Sequence, residues 1–569
     1  MSSLYNHYTY APTGLKITRG AFDLSHSHKT SFNSGVLVPF KCLEVLPGDT
    51  FSLDQSTVCR MTTPIFPTMD NAYLDTFWFF VPTRLVWDHT KEFYGENTEG
   101  PWEPETEYTI PMSLLTSNSK GTLYHQLGIP IFDFASIPNG MIEVSDLPIR
   151  AYGLIWNEWF RNQNVSAPCV INKGDSGSVY QSRVTGPLWN DSSVSTIGTF
   201  QTLYANLGIL LPVAKYPDRF TSCLPEPQKG PAVELPIVED APVYGVSGQP
   251  LRLESTATVS TIGGLRNAGS SGLIVADSSG GTISVANYYN VLSENTSSNT
   301  NLSSNLYADL GSASAISVNT MRQMFAMQRL YELDARSGTR FREVLKAHFG
   351  VTVKDERVQI PEYLAGCSVP ISMTAVPQTS ATTETSPQGN VSAYSQTSDK
   401  RSLFTFSATE PGFLMGLCCV RTNQTYSQGL HPMWSRKRRF DFYWPNFANL
   451  GETPVFRREL KVAAYDHMDN DLEVFGYQEA WSEYRFMNNT VSGMLDPAYD
   501  STTPWTYAAL FGGAPTLSEE FIYEDPTFLD RTLSVSSSVE DQFICDFYFN
   551  ITAVRPMPVY SVPGLTSHF

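Results

Sequence analysis

The densest grouping of chemically capable side chains is Arg436-Lys437-Arg438-Arg439, which runs straight into the aromatic block FDFYWPNF. Such cations clamp phosphates, and Phe440, Phe442, Tyr443 and Trp444 offer faces on which bases stack. An ion-pair cluster between subunits fits the same residues, and on a strand only two of the four cations would share a face. Arg457-Arg458 poses the same choice. Asp466-His467-Met468-Asp469-Asn470-Asp471 gathers oxygen ligands in a loop. Calcium is admissible there as a cofactor, but the EF-hand spacing and glycine are missing and an ordinary acidic turn competes. Glu519-Glu520 and Glu524-Asp525 are carboxylates of the kind a glycosidase dyad uses, yet nothing in the chain pairs them, and solvated turns account for them. His26 and His28 alternate as on one strand face; with no third ligand at metal spacing they read as a satisfied or solvent-facing pair. There is no H-E-x-x-H, Walker loop, G-x-S-x-G elbow or strand-following G-x-G-x-x-G, so no catalytic or metal-binding residue is assigned.

Composition narrows the classes further. In 569 residues, 41% are hydrophobic, 12% aromatic and only 17% charged, which suits strands and surfaces buried against other copies. A net charge of −18 excludes a protein that wraps nucleic acid over most of its surface, so any DNA contact is local. The N-terminal stretch 1–40 reads as an extended arm. Before Glu44 its one acid is Asp23, against Lys16, Arg19, Lys29 and Lys41, with Tyr5, Tyr8, Tyr10 and Phe22 interleaved. That pattern fits single-stranded nucleic acid, or an arm that packs on a neighbour. Cysteines at 42, 59, 169, 223, 367, 418, 419 and 545 form no C-x-x-C pair, and Cys418-Cys419 falls in the apolar run GFLMGLCCV, as strand packing. No signal peptide or membrane-length apolar run is present, which places folding in a reducing cytoplasm and excludes membrane insertion.

The elements that must carry these residues are mostly strands. VLVPFKCLEVLPGDTFSLD and AYLDTFWFFVPTRLVW carry strand alternation and β-branched or aromatic enrichment, cut by Pro and Gly turns. Pro148 to Arg161 predicts a helix with Tyr152, Ile155, Trp156, Trp159 and Phe160 on its apolar face. Within 317–350, Met321, Met324, Phe325 and Gln328, then Phe341, Val344, Leu345 and His348, predict two helices hinged at Ser337-Gly338. Residues 229–316 turn Ser/Thr/Asn/Gly-rich, with β-prone runs at Leu273–Val275, Ile283–Val285 and Val246–Leu253. An insertion of that length implies function. The stretches 165–200 and 374–400 read as surface loops. Together these elements describe a mainly β protein, a β-sandwich with long excursions whose strand order the sequence does not reveal.

Several blocks, in order, resemble one family. They are FDLSHSHKTSFNSGVLVPF, EVLPGDTF, DTFWFFVPTRLVWD, LPIRAYGLIWNEWFRNQNV, VAKYPDRFTSCLPEPQKG, the 317–350 segment, RRFDFYWPNFANLGETPVF, FGYQEAWSEYRFMNNTVSGML and RPMPVYSVPGLTSHF. They resemble the major capsid proteins of microviruses, the gokushovirus branch of the small icosahedral single-stranded DNA phages. Ser337, where glycine is commoner in that family, is a departure that leaves the turn geometry open.

The resemblance implies an eight-stranded antiparallel jelly roll, with an arm at 1–40, core at 41–228 and 317–569, and a protrusion at 229–316 on a three-fold axis. It implies a homo-oligomeric T=1 shell of sixty copies around circular single-stranded DNA. Its partners would be a small basic DNA-binding protein, a minor pilot-type capsid protein, an internal scaffolding protein during assembly in the host cytoplasm, and a host surface receptor. Lys16, Arg19, Lys29 and Arg436 to Arg439 (Arg436, Lys437, Arg438, Arg439) become genome-contact candidates, and Leu265, Arg266, Asn267, Leu273, Ile274, Asn287 and Tyr288 host-contact candidates on the protrusion. The alternative is a β-sandwich adhesin or carbohydrate-binding protein, with a β-sandwich glycoside hydrolase behind it. Both would meet their targets outside the cell, and the missing secretion signal weighs against them.

Overall fold

Two antiparallel sheets face each other across an aromatic core in the computed structural model of the chain. The structure describes residues 19–96, 107–177 without 116 and 134–139, 209–231 with 233, and 318–560 without 381, 383–386, 463–472 and 500–502, plus the backbone of short strands between 243 and 308. The sandwich strands are β1 (Gly20–Asp23), β2 (His26–Phe32), β3 (Val38–Val45), β4 (Thr50–Met61), β5 (Ala72–Pro82), β6 (Glu362–Pro370), β7 (Thr397–Ser407), β8 (Gly412–Thr422) and β9 (Phe543–Arg555). One sheet runs β2–β9–β4–β7 and the other β6–β5–β8–β3. β1 and β2 pair with successive lengths of β9, so they are one edge strand interrupted at Leu24-Ser25. Eight strands in this order are a jelly roll.

The two sheets differ in what covers them, and their sequences show why. β4 and β9 alternate buried and exposed positions, which is the pattern of a sheet with one dry and one wet face. β5 and β8, by contrast, are buried at nearly every position. A strand covered on both faces needs apolar residues throughout, and AYLDTFWFFVP and GFLMGLCCVRT supply them. Cys418 and Cys419 sit there on opposite faces, both fully buried.

Between the sheets, Phe40 stacks on Phe547 at 4.5 Å and meets the edge of Trp78 at 5.4 Å. Trp78 also stands perpendicular to Phe549 at 5.7 Å. The buried indole N–H of Trp78 donates to Gln55 Oε1 at 3.0 Å, and the Gln55 amide donates to Thr57 Oγ1 at 3.0 Å, so this polar pair carries no unmet donor into the core. Gly416 lets β8 approach these rings: a Cβ there would lie 2.6 Å from the Phe40 ring.

On the outer face of the second sheet lies helix α1 (Leu147–Ile155), continued by a π-helical turn, Trp156–Phe160. Tyr152 donates its hydroxyl proton to Leu37 O at 2.7 Å and accepts from Leu211 N at 2.8 Å. Arg150 is buried in an ion pair with Asp146 at 2.6 Å and donates to the carbonyls of Gly174 and Ser176. The helix thereby closes a second apolar layer over Phe79, Met415, Leu417 and Cys419.

Nearly everything else hangs between β5 and β6 or between β8 and β9. Residues 230–331 form one compact unit and the remainder of the chain the other. In the smaller unit, Val243–Gly245 pairs with Leu306–Ala308, Arg252–Ser255 with Tyr289–Leu292, and Leu273–Ala276 with Thr282–Val285, a nested antiparallel series. Helix α2 (Val318–Ser337) and helix α3 (Phe341–Phe349) meet at Gly338, whose φ of 89° makes the break expected between them. The stretch 374–400 departs from the loop expectation at its two ends. Met373–Pro377 pairs with Val391–Ser395, and β7 begins at Thr397. Its Ser/Thr content reflects a wet sheet face rather than an absence of strand.

Trp78→Ala leaves a large cavity and an orphaned Gln55 acceptor in the packed core, and a loss of about 3–5 kcal/mol is expected. Denaturant unfolding of the isolated subunit measures it; Tyr548→Ala, on the wet face of β9, should cost well under about 1 kcal/mol.

Candidate nucleic-acid and assembly surfaces

The basic run lies not on a strand but on a turn. A 3₁₀ turn, Arg439–Asp441, is held by the Asp441 carboxylate, which accepts from the backbone N–H groups of Lys437 at 2.8 Å and Arg438 at 2.7 Å. These hydrogen bonds hold the Asp441 carboxyl below the usual carboxylate range. Arg436 is only 8% exposed: it pairs with Glu483 at 2.6 Å and stacks over Phe442 and Tyr484. Its charge is spent internally. Lys437, Arg438 and Arg439 are exposed, Arg439 lies over the Trp444 ring at 4.6 Å, and among the described residues no ion pair takes up their side chains.

Around this turn the rings lock one another in place. Tyr443 meets Trp481 at 5.7 Å and Tyr484 at 6.4 Å, Phe440 meets Phe447, and the Trp481 indole donates to Phe447 O at 2.9 Å. Yet Phe440 stays 66% exposed, Trp434 72% and the nearby Met487 89%. The result is a rigid apolar platform open to solvent. Next to it, Arg485, Phe486, Met487 and Asn489 line a cleft of about 620 Å³ with Arg219, Asn423, Gln424 and Gln478 opposite.

At the start of the chain, Arg19 is exposed with its guanidinium over Gly48, and Lys29 pairs with Asp546 at 3.5 Å on the wet face of the first sheet. His26 Nδ1 lies 2.6 Å from Leu24 O, whereas Nε2 of both His26 and His28 is buried and meets no partner among the described residues. Burial and neighbouring Lys41 push the His28 imidazole below its ordinary value. Leu273 and Ile274 lie on the strand Leu273–Ala276. Lys16, Leu265, Arg266, Asn267, Asn287, Tyr288 and the 466–471 loop considered for calcium fall outside the described residues. Among the described residues no group of three His, Cys, Asp or Glu side chains is placed to hold a metal ion.

One buried polar cluster has the look of chemistry, and sequence reading missed it. Glu524, expected in a solvated turn, is 1% exposed, and its Oε1 accepts from Thr422 N at 3.0 Å and Thr422 Oγ1 at 2.7 Å. Burial pushes its carboxyl up to about 7. Beside it, Arg421 and Tyr216 both donate to Asp75 Oδ2, and Lys215 donates to Phe521 O at 2.8 Å. Perturbed groups of this kind mark active sites only where substrate can enter. Asp75 and Glu524 are closed off, so the cluster ties residues 214–216 and 521–524 to the ends of β5 and β8.

Comparison with known proteins identifies the family. The family model described as "Capsid protein (F protein)" matches residues 12–565. The chain belongs to that capsid protein family. It is 36% identical to Capsid protein VP1 of Chlamydia phage 1 over 99% of this chain and 98% of that one. It is 37% identical to Capsid protein VP1 of Bdellovibrio phage phiMH2K over the full length of both. Capsid protein VP1 of Spiroplasma virus 4 matches at 36% over 97% of this chain and 96% of its own. The gokushovirus resemblance carried by the sequence blocks is thus borne out over the whole chain, which is a major capsid protein and a virion component. Among the described residues no helix is long and apolar enough to cross a membrane.

In a capsid protein, the Glu524 cluster is a joint whose strength depends on pH. Its folded carboxyl holds a proton between the ordinary value of 4.5 and about 7 that the unfolded one has lost. Stability from this group is therefore complete below that window and falls as pH rises through it, by on the order of 3 kcal/mol. Glu524→Gln should flatten the fall, read as Tm of the subunit at pH 5 and pH 8.

Proposed function

We propose that this capsid protein self-assembles into a T=1, sixty-copy icosahedral shell around a circular single-stranded DNA genome, with residues 229–316 projecting to contact the host. The observation that carries the reading is the end-to-end match to gokushoviral VP1 capsid proteins on a jelly-roll core. Capsid membership supports homo-oligomeric assembly. Sixty copies at −18 each would repel the genome, which supports a separate small basic protein that condenses it. A pilot-type minor protein, an internal scaffolding protein and a host surface receptor complete the set of partners. Of the genome-contact candidates, Arg19 and Lys29 keep exposed charge near the arm, and we read them, with Lys16, as the DNA-facing set. No catalytic step and no cofactor belong to this reading; a calcium ion at 466–471 would be an accessory to assembly.

Electron microscopy of nuclease-treated particles, made with the phage's other structural proteins, tests the shell. Uniform icosahedra with knobs at the three-fold axes and protected single-stranded DNA are expected; small oligomers alone would sink the proposal. For the DNA-facing set, Arg19→Ala with Lys29→Ala should lower the salt dependence of oligo(dT) binding by unassembled subunits. The log–log slope should fall by about 0.7 for each phosphate that is no longer neutralised.

A further inference from the structure

We infer that the aromatic platform at residues 433–450 and 484–487 is a docking face for a second copy of this chain. This rests on the shell reading and deepens it by naming one of the surfaces that hold copies together. Soluble monomers rarely leave a contiguous apolar face uncovered, and this one is not an incidental scatter of side chains. Phe440 meets Phe447, Tyr443 meets Trp481 and Tyr484, and the Trp481 indole N–H, donating to Phe447 O, links the two groups of rings. The Arg436–Glu483 pair beneath it and the Asp441 cap hold it in shape before any partner arrives. A face ordered in advance loses little side-chain entropy on docking.

Single-stranded DNA is the competing occupant, and three observations favour a protein. The central guanidinium, Arg436, is already neutralised by Glu483, and Asp441 sits among the remaining cations, so a phosphate chain would meet carboxylates as well. Exposed Met433, Leu450 and Met487 add apolar surface that base stacking does not use. Aromatic, Met and Arg enrichment is instead the composition of protein interface cores. Charge points to a copy of this chain in particular. Lys437, Arg438 and Arg439 form a local positive rim, and the chain carries 56 acidic against 38 basic residues, so a second copy offers an excess of acidic partners for that rim. The surface met on the second copy is different from the platform, because two platforms face to face would oppose their cations. The contact is therefore heterologous, the kind that closes rings.

The test substitutes exposed side chains: Trp434→Ala with Met487→Glu, and separately Lys437→Glu with Arg438→Glu. Each variant is expressed with the phage's other structural proteins, beside the wild-type chain. Circular dichroism and Tm should match wild type, while sedimentation should show particle yield down at least about tenfold, equivalent to roughly 1.4 kcal/mol at each interface. The charge-reversed pair should fail more at low salt than at high salt. Shells formed by both variants at wild-type yield would overturn the docking face while leaving the shell reading intact. Normal yield with abolished oligo(dT) binding by free subunits would overturn it in favour of DNA. A wild-type chain that forms no particles would overturn both.

Discussion

The second sheet is apolar on both faces, and that constraint organises the molecule. A jelly roll needs only one dry face per sheet, yet Phe79, Met415, Leu417 and Cys419 point away from the sandwich and are buried. Covering them requires a further layer, and the β5–β6 connection provides it through α1, Trp87, Leu211 and Val213. The long connection is therefore not an ornament on a finished sandwich. Burying a Phe or Leu side chain is worth about 1.5–3 kcal/mol, and several such side chains depend on that layer. The Tyr152 hydroxyl fastens it by bridging Leu37 and Leu211, while the Asp75, Arg421 and Glu524 cluster fastens the sheet's end.

The opposite sheet is built for exposure. Many of its outer positions, among them Ser27, Ser52, Asn550 and Thr552, are polar and uncharged. That explains how a chain with only 17% charged residues stays solvated on this side without many lysines or glutamates. It also separates the roles of the surfaces. Hydroxyl and amide groups on the wet face are interchangeable with water, whereas the rings at 440–447 are not, and the free energy of association has to come from the second kind.

How much of this was legible in the sequence follows from the range of the interactions involved. The hinge at Ser337-Gly338 and the burial of Cys418-Cys419 depend on neighbours a few residues away, so periodicity exposed them. The strand order does not: β5 and β6 pair in register across residues 83–361, and nothing local encodes that partner. The resemblance to a capsid family supplied the jelly roll instead. The stretch 374–400 misled because a strand with one wet face and many Ser and Thr residues has the composition of a loop. Glu524 misled because its environment is Thr422 and Lys215, remote in sequence, which turn an ordinary-looking acidic pair into a buried carboxyl. Arg436 was placed correctly in a basic run, but its pairing with Glu483 needs the return of the chain through 481–484.

Charge sets the limit on what can hold such copies together. At −18 per copy, bringing many chains into one shell raises mutual repulsion, and exposed ion pairs such as Lys29–Asp546 contribute little against it. Attraction must then come from apolar area that is already ordered, with exposed cations placed where an acidic neighbour approaches. The platform around Phe440 and Trp444 combines both features: rings fixed by one another and a rim of Lys437, Arg438 and Arg439. Salt would weaken the rim but not the rings, so an interface of this composition keeps its strength in the ionic conditions that screen the repulsion it has to overcome.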